Sequence, residues 1–157
     1  MNSRISLLTV FILATAVNAE TGSSESKAVG SQLPDPIRSL LIEEMQAINA
    51  SMAKILTGLV SAHHELVAEQ AKAIHDSFIM AQKITKKQRQ VLKSTLPPAF
   101  IEKDQAFHQL SARLAEAARA QDSEQQLSLF QSMQAACVAC HQQHATDRFP
   151  HFSKKQQ

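Results

Sequence analysis

Two thiols and an imidazole stand together near the end of the chain, in the run Cys137-Val138-Ala139-Cys140-His141, which uses both cysteines of the sequence. In such a run each thiol can add across a vinyl group of a haem to form a thioether, and the histidine that follows can bind the iron. On a helix, positions i, i+3 and i+4 share one face, so Cys137, Cys140 and His141 can all address one flat group. The motif predicts one covalently attached c-type haem with His141 on its iron.

Two other uses of the same atoms compete. Cys137, Cys140, His141 and His144 are ligands of the types that zinc takes, but spacings of three and four crowd them on one helical face with no second knuckle, unlike ordinary structural zinc sites. A redox Cys-x-x-Cys normally opens a helix after a strand, where the dipole lowers a thiol pKa. This one lies near the expected end of a helix, and no strand is predicted.

The other end of the chain supports haem attachment. Arg4 gives a positive n-region, Ile5 to Val17 an apolar run of about 13 residues, and Val17-Asn18-Ala19 a small-residue cleavage pattern. The expectation is a cleavable signal peptide over 1–19, too short to settle as a transmembrane helix. The mature chain then begins at Glu20, has no membrane span and is periplasmic, where c-type haem is assembled. Loss of Arg4 takes the formal charge from +2 to +1, so no strong field is expected. With neither a basic stripe nor interleaved aromatics, nucleic-acid binding is not expected. The cluster Lys83, Lys86, Lys87, Arg89 and Lys93 reads as a solvated face, or as a docking patch for an acidic redox partner. Paired catalytic carboxylates, a nucleophile elbow and a phosphate loop are all missing from the sequence, so no enzyme activity is predicted.

Positioning falls to helices. Only Gly58 of three glycines lies beyond the leader, Trp and Tyr are missing, and Ala, Gln, Leu, Glu and Lys dominate. After a flexible leader (20–34), Asp35 is expected to cap a first helix with Pro36 in its first turn. Ile37, Leu40, Leu41, Met45, Ile48, Met52, Ile55, Leu56 and Leu59 form its apolar stripe, and it ends at Gly58 or near Ser61. A second helix is predicted from about His63 to Ile84, with Val67, Ala71, Ile74 and Phe78 inward. Thr85-Lys86-Lys87-Gln88 fits a capping box for a short connector that stops before Pro97-Pro98. Pro98 opens a third helix with Phe100, Ile101, Phe107, Leu110, Leu114 and Ala117 or Ala118 inward. Asp122-Ser123-Glu124-Gln125 caps a fourth, with Leu127, Phe130, Met133, Cys137 and Cys140 on its inner side. The expected fold is all-α: an up-down-up-down four-helix bundle with an extra connector helix, a haem domain over 35–148 and a C-terminal tail over 149–157.

A bundle of this kind with a single Cys-x-x-Cys-His on its last helix resembles cytochrome c′ and its low-spin, methionine-ligated relatives, over roughly Pro36 to Arg148. The resemblance implies thioethers at Cys137 and Cys140 and iron ligation by His141. It also implies that Arg38, which matches a first-helix arginine of the family, meets a haem propionate. The chain departs from the family at His144 and Ala145, where an aromatic and a basic residue are usual. Arg148 is an alternative source of the charge, and His144 of the aromatic packing.

The second axial position decides function. If the fourth helix ends near Thr146, His141 lies about 7–8 Å from that end, and the antiparallel first helix should face it at a similar depth. Ile42 is roughly 9 Å into that helix, Met45 roughly 13–14 Å and Met52 roughly 24 Å. Met45 is therefore the expected sixth ligand, at a position where methionine also serves as core filler. Ile42 cannot ligate but can cap an open site, as an aliphatic residue does in cytochrome c′. His63, His64, His75 and His108 are read as surface residues, and His151 as a tail residue able to fold back. The function predicted is electron transfer by a periplasmic monohaem cytochrome with a redox partner protein. The alternative is a five-coordinate binder of NO and CO; a homodimer is compatible with both.

Overall fold

The computed structural model describes residues 28–77 and 84–152. The expected signal peptide and the first part of the leader lie outside these residues, as do Phe78 and Lys83. The described chain is all-α, with α1 (Val29–Gln32), α2 (Asp35–Val60), α3 (His64–Asp76), α4 (Lys86–Thr95), α5 (Pro98–Arg119), α6 (Ser123–His144) and a 3-10 turn at Pro150–Phe152. Among the described residues there is no strand, and no helix is long and apolar enough to cross a membrane.

Local chemistry explains where the helices begin. Pro36 and Pro98 stand in the first turns of α2 and α5, where an N–H would have no intrahelical partner. Thr85 and Gln88 form a reciprocal capping box: Thr85 Oγ1 accepts from the Gln88 N–H at 3.2 Å and Gln88 Oε1 from the Thr85 N–H at 2.8 Å. Asp122 caps α6 by accepting from the Gln125 N–H at 3.0 Å. Asp35 differs from its expected role. It is the first residue of α2 and pairs with Arg38 Nη1 at 3.0 Å instead of capping.

The turns after α2 and α5 are the same device. The His63 N–H donates to Gly58 O (2.8 Å) and the Ala62 N–H to Leu59 O (3.3 Å); the Asp122 N–H donates to Ala117 O (3.0 Å) and the Gln121 N–H to Ala118 O (3.0 Å). Each is a Schellman motif, whose left-handed residue is usually glycine. Here it is Ala62 (φ 53°) and Gln121 (φ 56°).

Helices pack in chain order, α2 on α3, α3 on α5 and α5 on α6, whereas α2 and α6 touch only sparsely. Ile48, Ile55, Val67, Ala71, Ile74, Leu114, Ala118, Phe130 and Met133 belong to the main core. A second cluster joins Val29, Leu33, Ile37, Ile84, Leu92 and Phe100.

Several expectations are corrected. Residues 28–34 are no flexible leader: Val29 and Leu33 are buried, because this apolar pair completes the second cluster. The second helix stops at Asp76 rather than Ile84, with the Ser77 hydroxyl donating to Ile74 O at 2.9 Å; Ile84 is buried in the second cluster. Leu127 is 51% exposed while Gln126 and Leu129 are buried. The Gln126 amide fixes this rotation of α6, since it meets His64 Nδ1 at 3.0 Å and donates to Ala117 O at 3.4 Å. The connector α4 is no mere link, because Leu92 anchors it in the second cluster.

These contacts set two substitutions apart. A β-carbon at Gly58 would meet Val67 Cγ2 at 2.7 Å and the His63 carbonyl oxygen at 3.2 Å. Val67 is fully buried and β-branched, so it has nowhere to turn. Gly58→Ala should therefore destabilise by about 1–2 kcal/mol in urea unfolding, overpacking outweighing the gain of about 1 kcal/mol in helix propensity. Ala62→Gly and Gln121→Gly should each stabilise, by about 0.5–1 kcal/mol, as the strain of a left-handed side-chain residue is relieved.

Candidate functional site

Cys137, Cys140 and His141 lie in the last turns of α6, and all three are half-buried. Cys140 packs against the second cluster, where its α2 neighbours in the group are Ile37, Leu40 and Leu41. Burial pushes both thiols above their usual range, and Asp104 adds to this at Cys140. Such thiols stay protonated at neutral pH, unlike those of a reactive dithiol. Among the described residues no three His, Cys, Asp or Glu side chains are grouped as an ion site.

His141 stacks on Phe149, with ring centroids 4.6 Å apart and planes 24° from parallel, and Phe149 in turn meets Phe152 edge-on at 6.4 Å. Burial holds the His141 imidazole below its ordinary pKa, so it is neutral and offers a basic nitrogen. The expected tail therefore begins as part of the site: the Phe149 N–H donates to Ala145 O at 2.9 Å, turning the chain back over the end of α6. Phe149 was not singled out in the sequence; the only signal was an aromatic pair around Pro150 just past the motif. His144 supplies aromatic packing as expected, edge-on to Phe100 at 5.5 Å. Its Nε2 is buried and finds no hydrogen-bond partner among the described residues. Arg148 is exposed.

Arg38 is occupied by its own chain. Nε donates to Gly30 O at 2.6 Å and Nη2 to Leu33 O at 2.8 Å, strapping α1 to α2. A methyl built on Gly30 would lie 3.6 Å from Asp147 Oδ2, so the strapped segment sits against the turn that follows α6.

The α2 candidates divide. Ile42 is 37% exposed. Met45 and Met52 are half-buried and pack against the main core, not in the cluster that holds Cys140. At about 100° per residue, both methionines fall between the buried Ile48 and Ile55 and the exposed Ile42 and Leu56. Gly58, which touches α3 through Val67, lies roughly as far round on the other side of the buried pair. Met45 and Met52 therefore border the sparsely packed α2–α6 seam. The exposed large apolar residues are Ile42, Leu56 and Val60 on α2, Leu127 and Val138 on α6, and Phe149 and Phe152 after it. Among the described residues α3, α4 and α5 carry none.

The remaining histidines differ. His63, His75 and His151 are exposed, and His64 is half-buried against Gln126. His108, read as a surface residue, is buried. Its Nδ1–H donates to Ile74 O at 2.8 Å and its Nε2 lies 3.6 Å from Asp104 Oδ1; these polar partners make burial tolerable on a face that sequence spacing leaves ambiguous. Burial pulls its pKa down, but Asp104, the Ile74 carbonyl and Glu44 together raise it above 6.5.

His108 and His144 should give stability opposite pH dependences. The His144 pKa is lowered by burial and by Lys103, so the unfolded chain binds its proton more readily and stability should be lost as pH falls below 6.5. The His108 pKa is raised, so its contribution is complete below 6.5 and lost as pH rises through the folded value. Imidazole NMR titration of the chain checks both, and Asp104→Asn should lower the His108 midpoint while leaving that of His144 in place.

No protein-family model, curated protein or solved structure compared with the chain matches it.

Proposed function

We propose that the chain is an exported electron carrier of the cytochrome c′ kind, an up-down-up-down four-helix bundle made by α2, α3, α5 and α6 that holds one covalent haem. The observation that carries this reading is the seam between α2 and α6. It is the one sparsely packed junction of the four, both of its helices carry exposed large apolar residues, and α6, one of its two walls, carries both thiols and His141. The buried Nε2 of His144 beside this end fits a site completed by another group. Cys137 and Cys140 would hold the haem by thioethers and His141 would bind its iron, which when bound supplies one-electron chemistry. Phe149 fixes the plane of the His141 ring and, with the Pro150–Phe152 turn, shields it from water. The segment strapped by Arg38 closes the same end from the α2 side. Export would use residues 1–19.

Met45 borders the seam and is the proposed sixth ligand. A second reading has its own support: Ile42 is left exposed on α2 by the protein itself, as an aliphatic cap over a five-coordinate iron would be, and that arrangement suits binding of NO or CO.

Mass spectrometry of the protein exported from cells with haem-attachment machinery should show one added haem; an unmodified or zinc-loaded mass would refute the assignment. Absorption spectra should then be low-spin in both oxidation states, with Met45→Ala becoming high-spin and open to carbon monoxide. Met52→Ala should cost only stability, about 2–3 kcal/mol for a truncated core methionine. A wild-type spectrum that is already high-spin would replace the carrier reading with gas binding under Ile42.

A further inference from the structure

We propose that the outer face of α4 is the docking surface for an acidic protein partner, which exchanges electrons with the group held at Cys137, Cys140 and His141. The electron-exchange part rests on the haem reading above; the docking surface rests on α4 itself.

Lys86, Lys87, Arg89 and Lys93 are exposed on this ten-residue helix, which contains no carboxylate. Their placement works against the helix. A helix N-terminus carries a partial positive charge and favours acidic residues in its first turn; α2, α3 and α6 have Asp35, Glu65 and Glu124 there, and α5 opens on uncharged residues. α4 instead opens on Lys86 and Lys87, with no acidic residue in its first turn. Stability of the helix does not explain two cations at that end, whereas recognition of an anionic surface does.

Three of the cations share one open part of the surface. Lys86, Arg89 and Lys93, with Gln90, line one shallow depression. The opposite side of α4 inserts Leu92, flanked by Val91 and Leu96, into the same cluster that Cys140 joins. The helix that presents the basic face and the Cys140 end of the site thus meet in one apolar cluster. That inward turn also decides against a bilayer: the apolar residues of α4 are committed to the core, leaving no apolar face to enter a membrane. The helix offers no aromatic side chain to stack on nucleic-acid bases. An acidic protein face needs only the charges.

The test uses the isotope-labelled, haem-loaded chain titrated with a poly-glutamate peptide, beside phosphatidylglycerol vesicles and duplex DNA. The peptide should shift the amide resonances of α4 first, and high salt should abolish the effect. Lys86→Glu combined with Lys87→Glu should weaken peptide binding about tenfold or more and slow oxidation of the reduced protein by hexacyanoferrate(III) to a similar degree. The same variant should melt at or above the wild-type temperature, because glutamates suit that helix end. A lower melting temperature with unchanged peptide binding would make the lysines structural and overturn the proposal. So would shifts spread equally over Lys54, Lys72 and Lys103, or binding to vesicles or DNA in preference to the peptide. A chain that carries no haem by mass defeats the electron-exchange reading alone, since the peptide titration reports on α4 with or without it.

Discussion

The packing of α3 against α5 is the contact on which the rest of the structure leans. Val67, Ala71 and Ile74 from α3 and Leu114, Ala115 and Ala118 from α5 are all nearly or fully buried in one cluster, and the alanines let the two helices approach closely. His108 ties them again through the Ile74 carbonyl. α2 reaches this pair through Gly58 and Val67, and α6 reaches it through Gln126, which is bonded to both α5 and α3. Each outer helix is therefore held by the central pair and neither needs the other. That independence is what leaves the α2–α6 seam free for a function.

Much of this was legible in the sequence, and the failures have physical reasons. Periodicity and punctuation located the long helices, because Pro36, Pro98, Thr85-Gln88 and Asp122 act locally and no tertiary contact has to be known. The same cues gave the common face of Cys137, Cys140 and His141. What was missed depends on polar partners distant in sequence. Nothing local says that Gln126 goes inside and Leu127 outside; the choice is made by His64 and the Ala117 carbonyl. His108 is buried for a similar reason. The leader and the tail were underrated because Val29, Leu33 and Phe149 are isolated apolar residues without a period, and only the folded neighbours give them something to cover.

The site end is built from these underrated pieces. Arg38 spends its donors on the backbone of residues 30 and 33, which makes it a structural clamp in the described chain whatever else it meets. Phe149 gives His141 a stacking partner that α6 does not, since His144, three residues on along the helix, is turned edge-on to Phe100 instead. A neutral imidazole stacked on Phe149 and two protonated thiols make a constellation unlike that of a reactive dithiol.

The paired Schellman turns carry a last consequence. By closing α2 on α3 and α5 on α6 with turns of a few residues, they make the chain two helical hairpins, each of which forms through local contacts with little loop-closure entropy. The seam is the reverse case. The helices α2 and α6 that flank it lie far apart along the chain, so ordering it carries the larger loop-closure entropy. The α2–α6 junction is therefore the one part of the packing whose entropic cost no tight turn lowers in advance.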